Sequence, residues 1–292
     1  MQEMSILIYG GKGVMKKGIS IWSFAGSNLE ENMKLAKDAG FDGIEVALDE
    51  TGEVSLESTK ADILKVKEMA EKIGIELYSV ASGLYWTYNY TSENEANRIK
   101  AKEITKKQLE VASWLGCDTI LVVPGAVDVA FEPESEIVEY DVAYDRALSA
   151  LKELAPYAEE LKVSIGIENV WNKFLLSPVE MADFIDKVGS DYVGSYFDVG
   201  NVVYIGHPEH WIKVLGKRIK KVHFKDYRKE AGSLCGFVDL LSGDVNWPKV
   251  MEQFENIGYD NWVTAEMLPP YTYYPETIVY NTSNAMDKII GR

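Results

Sequence analysis

From Met15 onward the chain alternates without interruption between short runs rich in Ile, Val, Tyr and Phe and longer amphipathic stretches. Such alternation forces a parallel sheet with helices outside it, because each strand can rejoin its neighbour in parallel only through a crossover. Eight pairs can be counted. The strand candidates are 17–24, 43–48, 76–81, 119–124, 163–169, 193–198, 221–225 and 262–267. Segments 28–39, 59–73, 93–114, 144–161, 179–188, 210–219, 248–257 and 275–290 carry the 3.6-residue periodicity of helices packed on one face. Gly40, Gly74, Gly116, Gly189 and Gly258 follow the last apolar residue of a helix, where a left-handed cap is expected. Eight βα units with no surplus close more economically into a barrel than they spread into an open doubly wound sheet. The expected fold class is therefore α/β, a (β/α)8 TIM barrel forming a single domain over 15–292. Residues 1–14, MQEMSILIYGGKGV, stand outside the alternation and read as an N-terminal lead-in. Their glycines lack the GxxxxGK[ST] spacing of a phosphate loop.

The 292 residues are 47% hydrophobic and 26% charged, enough apolar material for one large core. A net charge of −16 would repel a phosphate backbone, so nucleic acid is not expected as a partner. No apolar run reaches the roughly 18 residues of a membrane span. Cys117 and Cys235 are the only cysteines and show no paired spacing, as for two free thiols in a cytoplasmic protein.

In a barrel of this kind the residues at the C-terminal ends of the strands face the mouth where chemistry takes place. Strand five ends in GIEN at 166–169, strand six in YFDVGN at 196–201, strand seven in VHFKD at 222–226 and strand eight in AEM at 265–267. Glu168, Asp198, His223 and Glu266 each follow an apolar run that should be buried, and an unpaired carboxylate there costs several kcal/mol. Three carboxylates meeting at one mouth repel one another, and a divalent cation relieves that repulsion most effectively. An oxygen-rich set with one imidazole suits one divalent metal ion, Mn²⁺ first, with Mg²⁺, Co²⁺ or Zn²⁺ as alternatives. A lone histidine ordinarily packs in a core, and His207 and His210 are read that way or as surface residues. His223 is set apart by its three acidic partners on adjacent strands.

The motifs GIEN, DVGN, VHFKD and AEM together resemble the xylose-isomerase-like barrel superfamily of sugar-phosphate isomerases and epimerases, over the span from about Lys17 to the C-terminus. Within it they are most similar to the ketose and pentulose-phosphate 3-epimerases. The resemblance implies that Glu168, Asp198, His223 and Glu266 are metal ligands and that Glu168 and Glu266 double as the catalytic acid/base pair. It also implies epimerisation or isomerisation of a sugar or sugar phosphate by proton abstraction alpha to a carbonyl, through a cis-enediolate. Physical chemistry agrees, because a cation at the carbonyl stabilises the enediolate and two bases on opposite faces invert a carbon. A homo-oligomer, dimer or tetramer, would be in keeping with such barrels.

The chain departs from the free-ketose enzymes at Asn201, where they carry a histidine and the phosphopentulose epimerases carry asparagine as here, and near Leu175, where the free-ketose enzymes carry a further glutamate; their substrate contacts are not transferred. Asn169 and Lys173 after strand five, Asn201 after strand six, and Lys225, Asp226 and Arg228 after strand seven are candidate hydroxyl- or phosphate-binding groups. Glu45 at the end of strand two, near the mouth or at the barrel interior, and Trp22 after strand one are further substrate-binding candidates, the indole as a stacking face. The aromatic-rich segment 82–94 is a candidate lid. Two readings compete: an inosose-type dehydratase on the same fold, and a non-catalytic sugar-binding barrel. An endonuclease at abasic sites, which needs several metals, conflicts with three histidines and an acidic surface.

Overall fold

The computed structural model describes residues 15–26 and 28–292; the expected lead-in 1–14 lies outside them. Eight parallel strands close into a barrel: β1 (Lys16–Ser20), β2 (Gly43–Ala47), β3 (Glu76–Ala81), β4 (Thr119–Val122), β5 (Ser164–Glu168), β6 (Val193–Asp198), β7 (Ile219–Phe224) and β10 (Trp262–Ala265). Neighbours around the barrel follow chain order, and β1 closes it by pairing with β10 and β2. Outside lie α1 (Leu29–Asp38), α2 (Lys60–Ile73), α3 (Glu95–Leu115), α4 (Tyr140–Leu161), α5 (Pro178–Val188), α6 (Pro208–Leu215), α7 (Trp247–Ile257) and α8 (Glu276–Ile290). Among the described residues no helix is long and apolar enough to cross a membrane.

Local chemistry sets the element ends. Asn28, Thr59, Asn94, Ser177 and Asn246 accept backbone N–H groups at helix N-termini, and Thr59 with Asp62 forms a full capping box. Gly74, Gly116, Gly189 and Gly258 cap helices in the left-handed conformation, whereas α4 ends on Lys162 at φ 55°. Strand one stops at Ser20, four residues short of the expected end, because Ile21–Ser23 turn into a 3₁₀ segment. A two-stranded hairpin, β8 (Asp226–Tyr227) with β9 (Phe237–Val238), was not expected from the periodicity. Strands of two residues leave no alternation to read.

The barrel interior is packed in layers. At its base Tyr78 and Trp262 stack at 3.8 Å with rings 6° apart, and the Tyr78 hydroxyl shares a 2.8 Å hydrogen bond with Thr264. These rings fit because β1 and β2 present glycine: a Cβ on Gly18 would meet the Tyr78 oxygen at 2.0 Å, and one on Gly43 would meet Trp262 at 2.6 Å. Between Ile44 and Val46 the pairing of β2 with β3 slips by a residue, so that both Tyr78 and Ser79 lie opposite Glu45. Ser79 therefore also turns inward, where it donates to Glu45. A separate apolar shell, including Ile19, Ile44, Val80, Ile120, Ile165 and Val263, joins the strands to the helices.

Candidate metal centre

Glu168 closes β5 and Asp198 closes β6, while His223 sits one residue before the end of β7 and Glu266 one residue after the end of β10. Register brings them to one level, since Asp198 pairs with His223, His223 with Thr264, and the Glu266 amide donates to the Phe224 carbonyl. One ligand-type atom from each residue lies within 4.8 Å of all the others. His223 Nδ1 is 3.4 Å from Glu168 Oε1, 3.5 Å from Glu266 Oε2 and 3.9 Å from Asp198 Oδ2. All four residues are buried. His223 Nδ1 has no hydrogen-bond partner, and neither do Asp198 Oδ2 and Glu266 Oε2, which face the Lys225 ammonium.

Orphaned, buried, mutually facing donor atoms of this kind are costly unless something neutralises them together. Three carboxylate oxygens and one imidazole nitrogen make a hard, oxygen-rich set that a divalent cation fits. The two glutamates differ in their surroundings. Burial raises the Glu168 carboxyl above its ordinary range, against the lowering contact with His223. Burial acts the same way on Glu266, but the charges of Lys225 and His223 overcome it and hold that carboxyl low.

A second tier supports the first from inside the barrel. His223 Nε2 lies 3.0 Å from Glu45 Oε1, and the other Glu45 oxygen accepts hydrogen bonds from Ser79 at 2.9 Å and from the Tyr196 hydroxyl. Every member of this network is at most 0% exposed. Glu45 thus sits beneath the centre rather than at the mouth. Asn169 exchanges two backbone hydrogen bonds with Asp198, at 2.8 and 2.9 Å, and the Asn201 amide donates to Asp198 Oδ1 at 2.8 Å. The two asparagines are themselves joined by a 2.9 Å bond, so together they fix the aspartate at its strand end.

A cavity of about 520 Å³ opens above the centre. Glu168 and Glu266 line it; Asp198 and His223 do not. Among the substrate-binding candidates Trp22, Asn201 and Lys225 also line it. Glu45, Asn169, Lys173, Asp226 and Arg228 are engaged elsewhere. Lys173 pairs with Asp128, and Arg228 donates to the Ser242 carbonyl. Asp226 accepts from the amides of Tyr227, Leu241 and Val245 and from the Trp247 indole, at 2.9 to 3.1 Å, so it organises the loop behind β7. In segment 82–94 the hydroxyls of Tyr85 and Tyr90 are buried against Thr105, and Trp86 reaches the cavity, where it meets Phe131 edge-on at 4.8 Å. Phe131, Phe237, Leu268 and Pro269 complete much of the wall and were not singled out from the sequence. They come from three separate places in the chain, a loop at Phe131, β9 at Phe237 and the segment after β10 at Leu268–Pro269, and no local pattern marks them.

Residues 33–282 match the sequence profile of the xylose isomerase-like TIM barrel. The chain belongs to that family. Among relatives of this xylose isomerase-like barrel, an uncharacterized protein of Methanocaldococcus jannaschii is 25% identical over 258 residues, covering 86% of this chain and 83% of that one. The L-ribulose-5-phosphate 3-epimerase of Salmonella paratyphi A is 22% identical over 246 residues, 80% of each. Among solved structures, a D-tagatose 3-epimerase-like protein superposes with a TM-score of 0.78 at 22% identity, covering 95% of this chain and 97% of that one. The IolI protein with a bound zinc atom gives 0.77 at 19% identity, covering 95% and 98%. These two likenesses establish the barrel fold.

Proposed function

We propose that this xylose isomerase-like barrel is an isomerase-class enzyme, a divalent-metal-dependent sugar epimerase or isomerase that moves a proton alpha to a carbonyl. One observation carries the reading: four ligand-type atoms converge within 4.8 Å, and of those four residues only the two glutamates reach the cavity. A centre that served binding alone would have no need to expose two carboxylates to the ligand while burying its other two members. The similarity to an L-ribulose-5-phosphate 3-epimerase supports the same class.

Glu168, Asp198, His223 and Glu266 would hold the ion. When bound, a divalent cation polarises a sugar carbonyl and so acidifies the adjacent C–H. The remaining work falls to the chain. Glu168 ends β5 and Glu266 directly follows β10, and β6 and β7 lie between those two strands, so the carboxylates flank the site from two sides. One carboxylate takes the proton from the substrate carbon, and the other returns a proton to the opposite face, which inverts that carbon. Lys225, against Glu266, favours the charged form of that carboxylate. The aromatic wall formed by Trp22, Trp86 and Trp171 excludes water while the carbanion exists.

The test is solvent exchange. Protein supplied with Mn²⁺ and a panel of ketoses, aldoses and ketose phosphates in deuterated water should place deuterium at the carbon alpha to the carbonyl. Glu168→Gln and Glu266→Gln should each slow this by about 10²–10⁴-fold, the usual worth of a positioned acid or base. Wild-type protein that exchanges nothing across the panel, or variants that exchange as wild type does, would contradict the reading. Loss of water from the product would identify a dehydratase.

A further inference from the structure

A second, smaller cavity of about 50 Å³ adjoins the one above the centre. Lys225, Phe237, Glu266, Leu268 and Pro269 line both, whereas Val238, Asp239, Met267 and Ile278 belong to the smaller one alone. It lies on the Glu266 side, since Glu168 is not among its walls. On the premise of the epimerase reading above, we propose that this side cavity is the subsite for the hydroxymethyl group that a ketose carries next to its carbonyl, with Asp239 accepting the proton of that hydroxyl.

The first argument concerns size. A ketose held by its carbonyl has two arms of unequal length, a single CH₂OH and the rest of the chain. A water molecule needs roughly 10–15 Å³ of such space, so about 50 Å³ admits a hydroxymethyl group and little more. Met267 and Ile278 back the side cavity, and both are buried. The long arm is left to the cavity of about 520 Å³.

The second argument concerns hydrogen bonding. The charged groups of the side cavity are Lys225, Asp239 and Glu266. An ammonium only donates and a carboxylate only accepts, whereas an alcohol does both through one oxygen. Lys225 Nζ lies against Glu266 Oε2 and 3.4 Å from Asp198 Oδ2, which leaves the third of its N–H groups for a ligand. Asp239 follows β9, and its Oδ2 accepts from the hydroxyl of Tyr271 on the segment after β10. Asp239 Oδ1 has no hydrogen-bond or ion-pair partner among the described residues. A hydroxyl placed between the two accepts from Lys225 and donates to Asp239. A methyl group there would leave a half-buried carboxylate without a donor. Asp239 thus sets specificity without taking part in proton transfer.

Trp22, Trp86 and Trp171 line the main cavity, so binding is read as a change in tryptophan fluorescence, apart from turnover. Mn²⁺-loaded protein is titrated with D-fructose, D-tagatose, D-psicose and D-sorbose and with the 1-deoxy form of each, and α-proton exchange in deuterated water is followed on the same compounds. The best-bound ketose should bind about 10–100-fold more tightly than its 1-deoxy form, the usual worth of a hydrogen bond to a charged group. Asp239→Asn should weaken the parent ketose by about 10-fold and leave the 1-deoxy form unchanged, with KM for exchange raised and kcat within about twofold. Tyr271→Phe, which removes the tie between Asp239 and the neighbouring segment but keeps the carboxylate, should retain the preference. Equal binding of parent and 1-deoxy ketose, or a preference that survives Asp239→Asn, would overturn the subsite, and continued exchange by the wild-type protein would leave the epimerase reading intact. A preference lost equally in Tyr271→Phe would show that Asp239 only holds the segment, and would overturn the subsite as well. A preference abolished in Asp239→Asn alone, with no exchange of any compound by the wild-type protein, would uphold the subsite and overturn the epimerase reading. If none of the ketoses binds, both fall.

Discussion

The imidazole of His223 is held from behind by a carboxylate that never reaches the cavity. With Nε2–H donated to Glu45, the lone pair of Nδ1 is left facing Glu168, Asp198 and Glu266, which is the tautomer a metal ligand requires. Glu45 is in turn oriented by the hydroxyls of Ser79 and Tyr196, whose two donors demand an acceptor at that position. Glu45→Gln puts an amide N–H₂ where one of these acceptors is needed, and it should lower Mn²⁺ affinity by about 10–100-fold, the usual cost of losing such a support. Calorimetric titration measures it, and unchanged affinity would mean that Glu45 serves the core alone. The four residues of the centre stood out in the sequence because each ends or nearly ends a buried apolar run. The role of Glu45 did not, since its depth in the barrel depends on the slip between β2 and β3, and that slip has no signature in GIEVA. Lys173, Asp226 and Arg228 carried the residue types of a binding loop, but their partners, Asp128, the 241–247 segment and Ser242, lie far away in the chain.

At the scale of elements, the sites of closest approach are where sequence and packing constrain each other most. Gly18 on β1 faces the Tyr78 ring, which is pinned by its stack on Trp262 and its bond to Thr264. Gly18→Ala would drive a methyl group into the Tyr78 oxygen, and overpacking of this kind costs about 1–3 kcal/mol. Chemical denaturation should show that loss, and a variant as stable as wild type would mean that the ring can move. The eight βα units were legible because buried parallel strands and amphipathic helices have different periods over many residues. Their ends were less so. Helix α4 begins at Tyr140, four residues before its apolar stripe declares itself at Tyr144, and β1 gives way to a 3₁₀ turn although IWSF continues the apolar run. The β8–β9 hairpin rests on two residue pairs, and the Asp226 carboxylate on β8 holds the 241–247 segment that follows it; neither feature has a sequence period.

For the whole molecule, a cation held at this centre would be coupled to folding. Three carboxylates brought to one buried point oppose folding, and an ion that binds only the folded chain offsets this by mass action. Mn²⁺ at one hundred times its dissociation constant should stabilise the protein by about 2.7 kcal/mol, raising Tm by several degrees, and a chelator should reverse the shift. The same addition to the Asp198→Asn variant should give a smaller shift; equal shifts would place the ion elsewhere. All of this chemistry requires that Glu168, Asp198, His223 and Glu266 hold one divalent cation. Crystals grown with Mn²⁺ and measured at its absorption edge test this most directly. One strong anomalous peak is expected at the mouth of the barrel, contacted by His223 through Nδ1 and by oxygens of the three carboxylates. A peak bound through other residues, or none at this position in crystals saturated with the ion, would contradict it.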